Sequence, residues 1–410
     1  MYPFTFKIIL GNLIIFPILS FIFIDLLSIT SLLAFRILSI TVLIIINIIF
    51  FKIFYNNLKT NYSIKLKMIF WGCFIIMLIL FINRIKIEPY GMWDSWAIWN
   101  FKAKDISTNF ILNNPQRLFK INWNHPGYPL FLPYQIAFVS ILLGNFNEII
   151  SYFIHIMYLY LFVSLMFYFI SLKFDLNLLF FTLLPFTFFQ LYIQFSDLCA
   201  DFPLSIFSAF SLYFYFKISE SKIDRLTNIL FLGFSMGILA HIKNEGIFIF
   251  LIYIVFFIIN NIIIKSPMES YYWIPISLFI LSIYLVFKSN APEVLQFEVS
   301  KHEIFESFLD WNRYINIGLA FSYYHLLILY GIIPVFLYYS YLKKFKKMLY
   351  MIPLFIIYLI FNGIFFITRY DQIWHISTAY SRVNFQISPL LFLTFQYIYF
   401  QFISFEKQIN

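Results

Sequence analysis

Apolar runs of helix length, parted by short polar breaks, dominate this chain. A helix that crosses a bilayer needs about 20 apolar residues, with about 17–25 usual. Twelve stretches meet or approach that length: 8–27, 31–51, 68–84, 149–172, 174–195, 202–217, 228–242, 246–264, 271–288, 322–341, 349–368 and 384–403. The runs at 202–217 and 228–242 are short. A further apolar piece, Leu130–Leu143, is too short to span comfortably and reads as re-entrant or interfacial. No internal repeat, low-complexity linker or G-x-x-x-G helix-pairing motif stands out. The pattern predicts an all-α polytopic membrane protein of about 12 transmembrane helices, one domain over residues 1–410, with a large first loop at 85–130.

Composition sharpens this picture. Hydrophobic residues make up 62% of the chain and charged residues 11%, and the mean hydropathy is +0.85. Water-soluble domains carry about 25% charged residues, so that class is excluded. The net charge of +9 is dispersed among apolar runs instead of forming a basic stripe, which argues against nucleic acid as a partner. Asp25-Leu-Leu-Ser follows the first apolar stretch in place of a small-residue cleavage site, so a retained first helix is expected.

Lys and Arg concentrate in cytoplasmic loops. Lys343, Lys344, Lys346 and Lys347 form the strongest cluster, and Lys52, Lys59, Lys65 and Lys67 a second. Placing both inside, with Leu130–Leu143 not crossing, gives one thread through the membrane with both termini cytoplasmic. That thread leaves fifteen basic and five acidic residues inside, against thirteen and fourteen outside, so the excess of positive charge lies on one side. The loop 85–130, Ser196–Asp201, His241–Gly246, the segment 289–321 and Arg369–Ser388 then share the extracytoplasmic side. Most residues able to do chemistry fall in those five places.

The richest is Trp93-Asp94-Ser95-Trp96-Ala97-Ile98-Trp99-Asn100-Phe101-Lys102-Ala103-Lys104-Asp105. Tryptophans at a spacing of three suit a helix lying among headgroups, with Asp94 as its N-cap. The alternative is functional: a carboxylate held at the membrane surface beside indoles is a candidate base for a lipid-linked substrate. Asp94 and Asp105 are about 16 Å apart along a helix, too far to share a metal ion. Other candidates are His125 in the Pro- and Gly-rich turn Asn122–Leu130, Asp197, and the knot His241–Gly246 with Lys243 and Glu245. The residue types suggest His125 as a phosphate or metal ligand, or else a structural hydrogen-bond partner. Lys, Asn and Glu together at membrane depth are costly unless paired or functional. Asp201, two residues before Pro203, reads as a helix cap. Arg382, expected to open the last helix, suits bidentate phosphate binding or snorkelling. P-loop, G-x-G-x-x-G and H-E-x-x-H patterns are absent.

Trp-Asp-Ser-Trp-Ala-Ile-Trp-Asn-Phe-Lys-Ala-Lys in the first outer loop, followed by His-Pro-Gly-Tyr-Pro-Leu, resembles the GT-C membrane glycosyltransferases. The likeness is to bacterial relatives of the protein O-mannosyltransferases and the lipid A aminoarabinose transferase. The Lys-Asn-Glu-Gly knot and the late Ser-Arg resemble the same group, in order from about residue 90 to 390. The resemblance implies a polyprenyl-phosphate sugar donor and a lipid, glycan or protein acceptor. It implies transfer with inversion on the extracytoplasmic face of the cytoplasmic membrane. It maps the base onto Asp94 and donor-phosphate binding onto Lys102 and Arg382, with His125, Asp197, Lys243 and Glu245 in support. Many relatives carry two adjacent acids where this chain has Asp94 and Ser95, which leaves a divalent metal as an open option. A polysaccharide polymerase or ligase would use similar donors. A transporter or flippase for lipid-linked sugars should instead place charges near the bilayer midplane.

Overall fold

A computed structural model describes residues 2–27, 29, 31–54, 64–112, 125–172, 174–183, 195–220, 224–263, 265–290, 301–322, 351–367 and 371–409. All regular structure among them is helical. In chain order the helices are α1 (Tyr2–Ser20, extended by a π turn Phe21–Leu26), α2 (Leu32–Phe54), α3 (Ile64–Ile87), α4 (Asn100–Ile111, led by a π turn Ser95–Trp99), α5 (Phe131–Leu143), α6 (Glu148–Met166), α7 (Tyr168–Leu172), α8 (Leu176–Leu183), α9 (Asp201–Glu220), α10 (Arg225–Ile242), α11 (Gly246–Ile263), α12 (Trp273–Asn290) and α13 (Lys301–Leu309). They continue with α14 (311–322), α15 (Ile352–Gly363), α16 (Gln372–Phe385) and α17 (Ser388–Ile409). Seven segments are long and apolar enough to cross a membrane: Lys7–Ile24, Leu32–Ile49, Ile64–Ile87, Glu148–Met166, Arg225–Ile242, Gly246–Ile263 and Met268–Ser289. The chain is built as a polytopic membrane protein.

Exposure explains why. On α2, Leu33, Ile37, Ile40, Ile44 and Ile48 are exposed, and on α3 Ile75, Ile76, Ile79 and Ile82. Such faces are stable against lipid chains and not against water. The centre of the bundle is α9, buried on nearly every side by α6, α10, α11, α16 and α17. Ser205, Ser208 and Ser211 return their hydroxyls to the carbonyls of Phe202, Leu204 and Phe207. Ser211 also meets Ser235 of α10 at 3.2 Å. Small side chains with satisfied hydroxyls let membrane helices approach closely.

A helix-pairing motif is present after all, as Gly233-Phe-Ser-Met-Gly237 on α10. A Cβ on Gly237 would stand 2.6 Å from the Ile280 Cβ of α12, and one on Gly233 2.8 Å from Ile276. One apolar run hid both glycines, because hydropathy does not separate glycine from the residues around it. The segment expected to be re-entrant or interfacial, α5, is a short helix enclosed by protein, packed against α1, α2, α4 and α6. Gln135 fixes it by donating to the Leu13 carbonyl at 2.6 Å and pairing with the Tyr158 hydroxyl. The helix expected at 384–403 begins at Ser388, and Arg382 belongs to the separate α16. Pro389 explains the break, since proline favours a first helical turn and disfavours the helical region just before it. Nearly all of the run 322–341 (from 323 on), the Lys343–Lys347 cluster and Asn122–Asn124 lie outside the described residues.

Charges collect in two layers. Lys7–Asp224 and Arg225–Glu269 mark one end of α10, and Lys243 follows the other. The 18 residues between them rise about 27 Å, close to the roughly 30 Å hydrocarbon thickness of a bilayer.

Candidate functional site

The layer beyond the end of α10 gathers residues from six parts of the chain. Asp94 arrives on a tight turn after α3. Gly91, at φ +73, carries the turn past the 195–200 segment, where a Cβ would meet the Asp197 carbonyl oxygen at 2.9 Å. The Met92 amide donates to that carbonyl at 3.2 Å. Asp94 has helical backbone angles, φ −61 and ψ −31, and makes no side-chain capping bond. Capping needs an extended residue, so the carboxylate is left for another partner. That partner is Arg382, whose Nη1 lies 2.7 Å from Asp94 Oδ2.

Arg382 stands in the last turn of α16, where a cation also complements the helix dipole. Of the three tryptophans expected at the surface, Trp93 and Trp96 are half exposed and meet edge to face at 6.0 Å. Trp99 is buried against Tyr128.

Lys243 and Glu245 sit in the reversal between α10 and α11. Gly246 makes the reversal possible, because a Cβ there would fall 1.9 Å from the Leu239 carbonyl oxygen. Lys243 Nζ contacts Asp201 Oδ1 at 2.9 Å and Glu245 Oε1 at 3.0 Å. Burial favours its neutral amine, but the two carboxylates outweigh that and hold its pKa above the ordinary lysine value. Asp201, expected to cap α9, pairs with Lys243 and accepts a bond from Gln386 of the α16–α17 junction.

Lys102 is fully buried, and its Nζ donates to the carbonyls of His125 at 2.8 Å and Tyr128 at 3.1 Å. Lys288 donates to the Gly127 carbonyl between them at 3.0 Å. Two ammonium groups thus clamp one turn, whose first residue, His125, has φ +53. Burial and the neighbouring Lys288 pull Lys102 down to about 7. His125 is also lowered, chiefly by burial, while Asp94 acts in the opposite sense. In this arrangement Lys102 shapes the turn, and Arg382 is the cation beside Asp94.

Asp197 is 1% exposed. Neither of its carboxylate oxygens has a hydrogen-bond partner among the described residues. Burial raises it to about 7, against the lowering influence of Arg382 and Arg84. Arg382 Nε, Glu245 Oε2, Gln386 Oε1 and Asn100 Oδ1 are likewise buried and unbonded. Buried polar atoms are bonded in roughly 90% of cases or more. These atoms offer one guanidinium donor, suited to an anionic group, and several acceptor oxygens, suited to hydroxyls. Among the described residues, no group of three or more His, Cys, Asp or Glu side chains is arranged to hold a metal ion. Asp105 accepts from Asn109 one turn on.

Five of the seven site residues named from sequence, Asp94, Lys102, Lys243, Glu245 and Arg382, contribute side chains to this layer's bonds and ion pairs; His125 and Asp197 contribute backbone carbonyls, and Asp197 also an unbonded carboxyl. Sequence reasoning passed over Lys288, Gln386 and the structural use of Gly91. Gly91 alone carried a signal, as a glycine three residues ahead of the acidic motif. No protein-family model, curated protein or solved structure matches this chain.

Proposed function

We propose that this chain is a membrane glycosyltransferase. It takes a sugar from a polyprenyl-phosphate donor and passes it to an acceptor hydroxyl on the extracytoplasmic face of the cytoplasmic membrane. The observation that carries the reading is the Asp94–Arg382 pair. A proton acceptor and a phosphate-seeking guanidinium stand together at one end of an apolar bundle, ringed by unbonded polar atoms. Asp94 takes the proton of the acceptor hydroxyl as its oxygen attacks the anomeric carbon. The bond from that carbon to the phosphate oxygen breaks, its electron pair leaves with the polyprenyl phosphate, and Arg382 stabilises the charge that develops there. Attack opposite the leaving group inverts the anomeric centre. The unbonded carboxyl of Asp197 suits sugar hydroxyls, and the Phe-rich helices suit an isoprenoid chain.

The finer architecture in this reading is GT-C-like, with about twelve crossings. The seven apolar segments are joined in this count by the apolar sequence runs 174–195, 202–217, 322–341, 349–368 and 384–403. The ionic groups of the described residues stand mainly at helix ends, which supports an enzyme acting at a surface over a transporter. The test is turnover of farnesyl-phosphate-linked hexoses and pentoses by the purified protein with membrane extract as acceptor. Release of farnesyl phosphate is expected from the wild type, falling at least about 100-fold in Asp94→Asn. No release from any donor, or equal release from both proteins, overturns the proposal.

A further inference from the structure

Asp94 and Arg382 hold each other in a way that bears on when the base is free to act. Arg382 is the one hydrogen-bonding partner of the Asp94 carboxylate among the described residues, through a single contact at 2.7 Å. No capping bond holds the carboxylate elsewhere. On its side, Arg382 engages one carboxylate oxygen through Nη1 while its Nε is buried and unbonded. The Asp94 side chain is one quarter exposed, so the contact lies at the rim of the site. A guanidinium prefers bidentate engagement, and a phosphate presents three oxygens that can supply it. A singly bonded carboxylate is the weaker occupant of that fork.

Building on the glycosyltransferase reading, we propose that Asp94 occupies on Arg382 the place of the donor phosphate, so that phosphate binding displaces the carboxylate and frees it to act as base. In the resting protein the two groups neutralise each other, which lowers the cost of keeping both at a membrane surface. When the phosphate takes the guanidinium, the carboxylate is released beside the sugar that the same phosphate carries. Base and substrate then become available together, and a lone acceptor hydroxyl meets a base that is still engaged.

The exchange makes a prediction of unusual sign: removing the catalytic carboxylate should tighten phosphate binding. Binding of farnesyl phosphate, inorganic phosphate and farnesol is measured on the purified full chain in one detergent. Asp94→Asn should bind farnesyl phosphate about 10- to 150-fold more tightly than wild type, the range of a charge-assisted hydrogen bond. Adding Arg382→Gln should abolish the gain, and farnesol should not respond. Asp94→Ala provides a second variant should the amide itself bond to Arg382, and melting curves verify that each is folded. Glu88→Gln removes a nearby charge that is paired with Arg84 at 2.6 Å, and it should leave the affinity close to wild type. A gain as large in Glu88→Gln as in Asp94→Asn would reduce the effect to bulk charge and overturn the exchange. Equal affinity of wild type and both Asp94 variants would overturn it while leaving the glycosyltransferase reading in place. Inorganic phosphate should show the same direction of change at weaker affinity. Inorganic phosphate binding as tightly as farnesyl phosphate, or no saturable binding of farnesyl phosphate to wild type, would defeat the lipid-donor reading itself.

Discussion

Where α10 begins, Lys7 faces Asp224 at 3.9 Å and Arg225 faces Glu269 at 3.7 Å, with the carboxylate side chains 31% and 64% exposed. Beyond its other end, Lys243 meets Asp201 at 2.9 Å and Arg382 meets Asp94 at 2.7 Å, with exposures of 3% and 25% for the acids. The first pairs are long and their carboxylates reach water, while Lys7 and Arg225 are largely enclosed. Exposed pairs of this kind contribute about 0–1 kcal/mol. The second pairs are short and enclosed, and buried, unbonded polar atoms accompany them. Burying charge costs several kcal/mol per ion unless it is well compensated. The two layers use the same residue types, so the difference lies in what the fold does with them. In the first layer the carboxylates reach solvent and one buried atom, Arg225 Nε, is unbonded; in the second the pairs are tighter and several buried polar atoms are unbonded.

The sharpest way to break this comparison is to make one substitution in both layers. Arg382→Lys should lower donor affinity or transfer about 10- to 150-fold, because a point charge replaces a planar fork. Arg225→Lys should leave transfer within a factor of about three, since its partner Glu269 is exposed and the pair lies at the other end of α10. Equal effects in the two layers would erase the distinction.

A second test uses pH. Burial raises Asp197 to about 7 from an ordinary 3.8. Between these values the folded protein keeps a proton that the unfolded chain has released. Its stabilising contribution is therefore complete below about 4 and lost as pH rises through about 7. Apparent melting temperatures of wild type and Asp197→Asn, followed from pH 4 to 8, should diverge in that window. The difference should be on the order of 2–4 kcal/mol. Parallel profiles would mean that Asp197 is better solvated than its burial indicates.

The smallest effect is expected from Asp224→Asn at the far end. It should shift stability by no more than about 1 kcal/mol and leave transfer intact. A large loss of transfer would show that the far layer is coupled to the site.

Much of this arrangement was legible in the chain itself. Apolar run lengths located the membrane helices to within a few residues for α2, α10, α11 and α12. The lysine clusters assigned the 85–130 loop, Asp197, the Lys243 knot and Arg382 to one side, and the fold brings these segments together. What remained hidden depended on contacts remote in sequence. Nothing in Lys102 or its neighbours announces that its ammonium will meet the carbonyls of His125 and Tyr128. Hydropathy cannot tell an apolar helix surrounded by lipid from α5, which is surrounded by protein. The glycines at 233 and 237 are visible as letters, but the isoleucines that require them lie on another helix.

Asp94 lies in the first quarter of the chain and Arg382 in its last tenth. A membrane protein made from its N-terminus inserts its helices in order, so Asp94 leaves the ribosome long before its partner exists. Throughout that interval the acid stands at the membrane edge without the cation that neutralises it. Only when α16 docks against α9 is the pair closed. Synthesis thus delivers the two halves of the site at opposite ends of its course, and a chain cut short before residue 372 would carry a carboxylate with no guanidinium to restrain it.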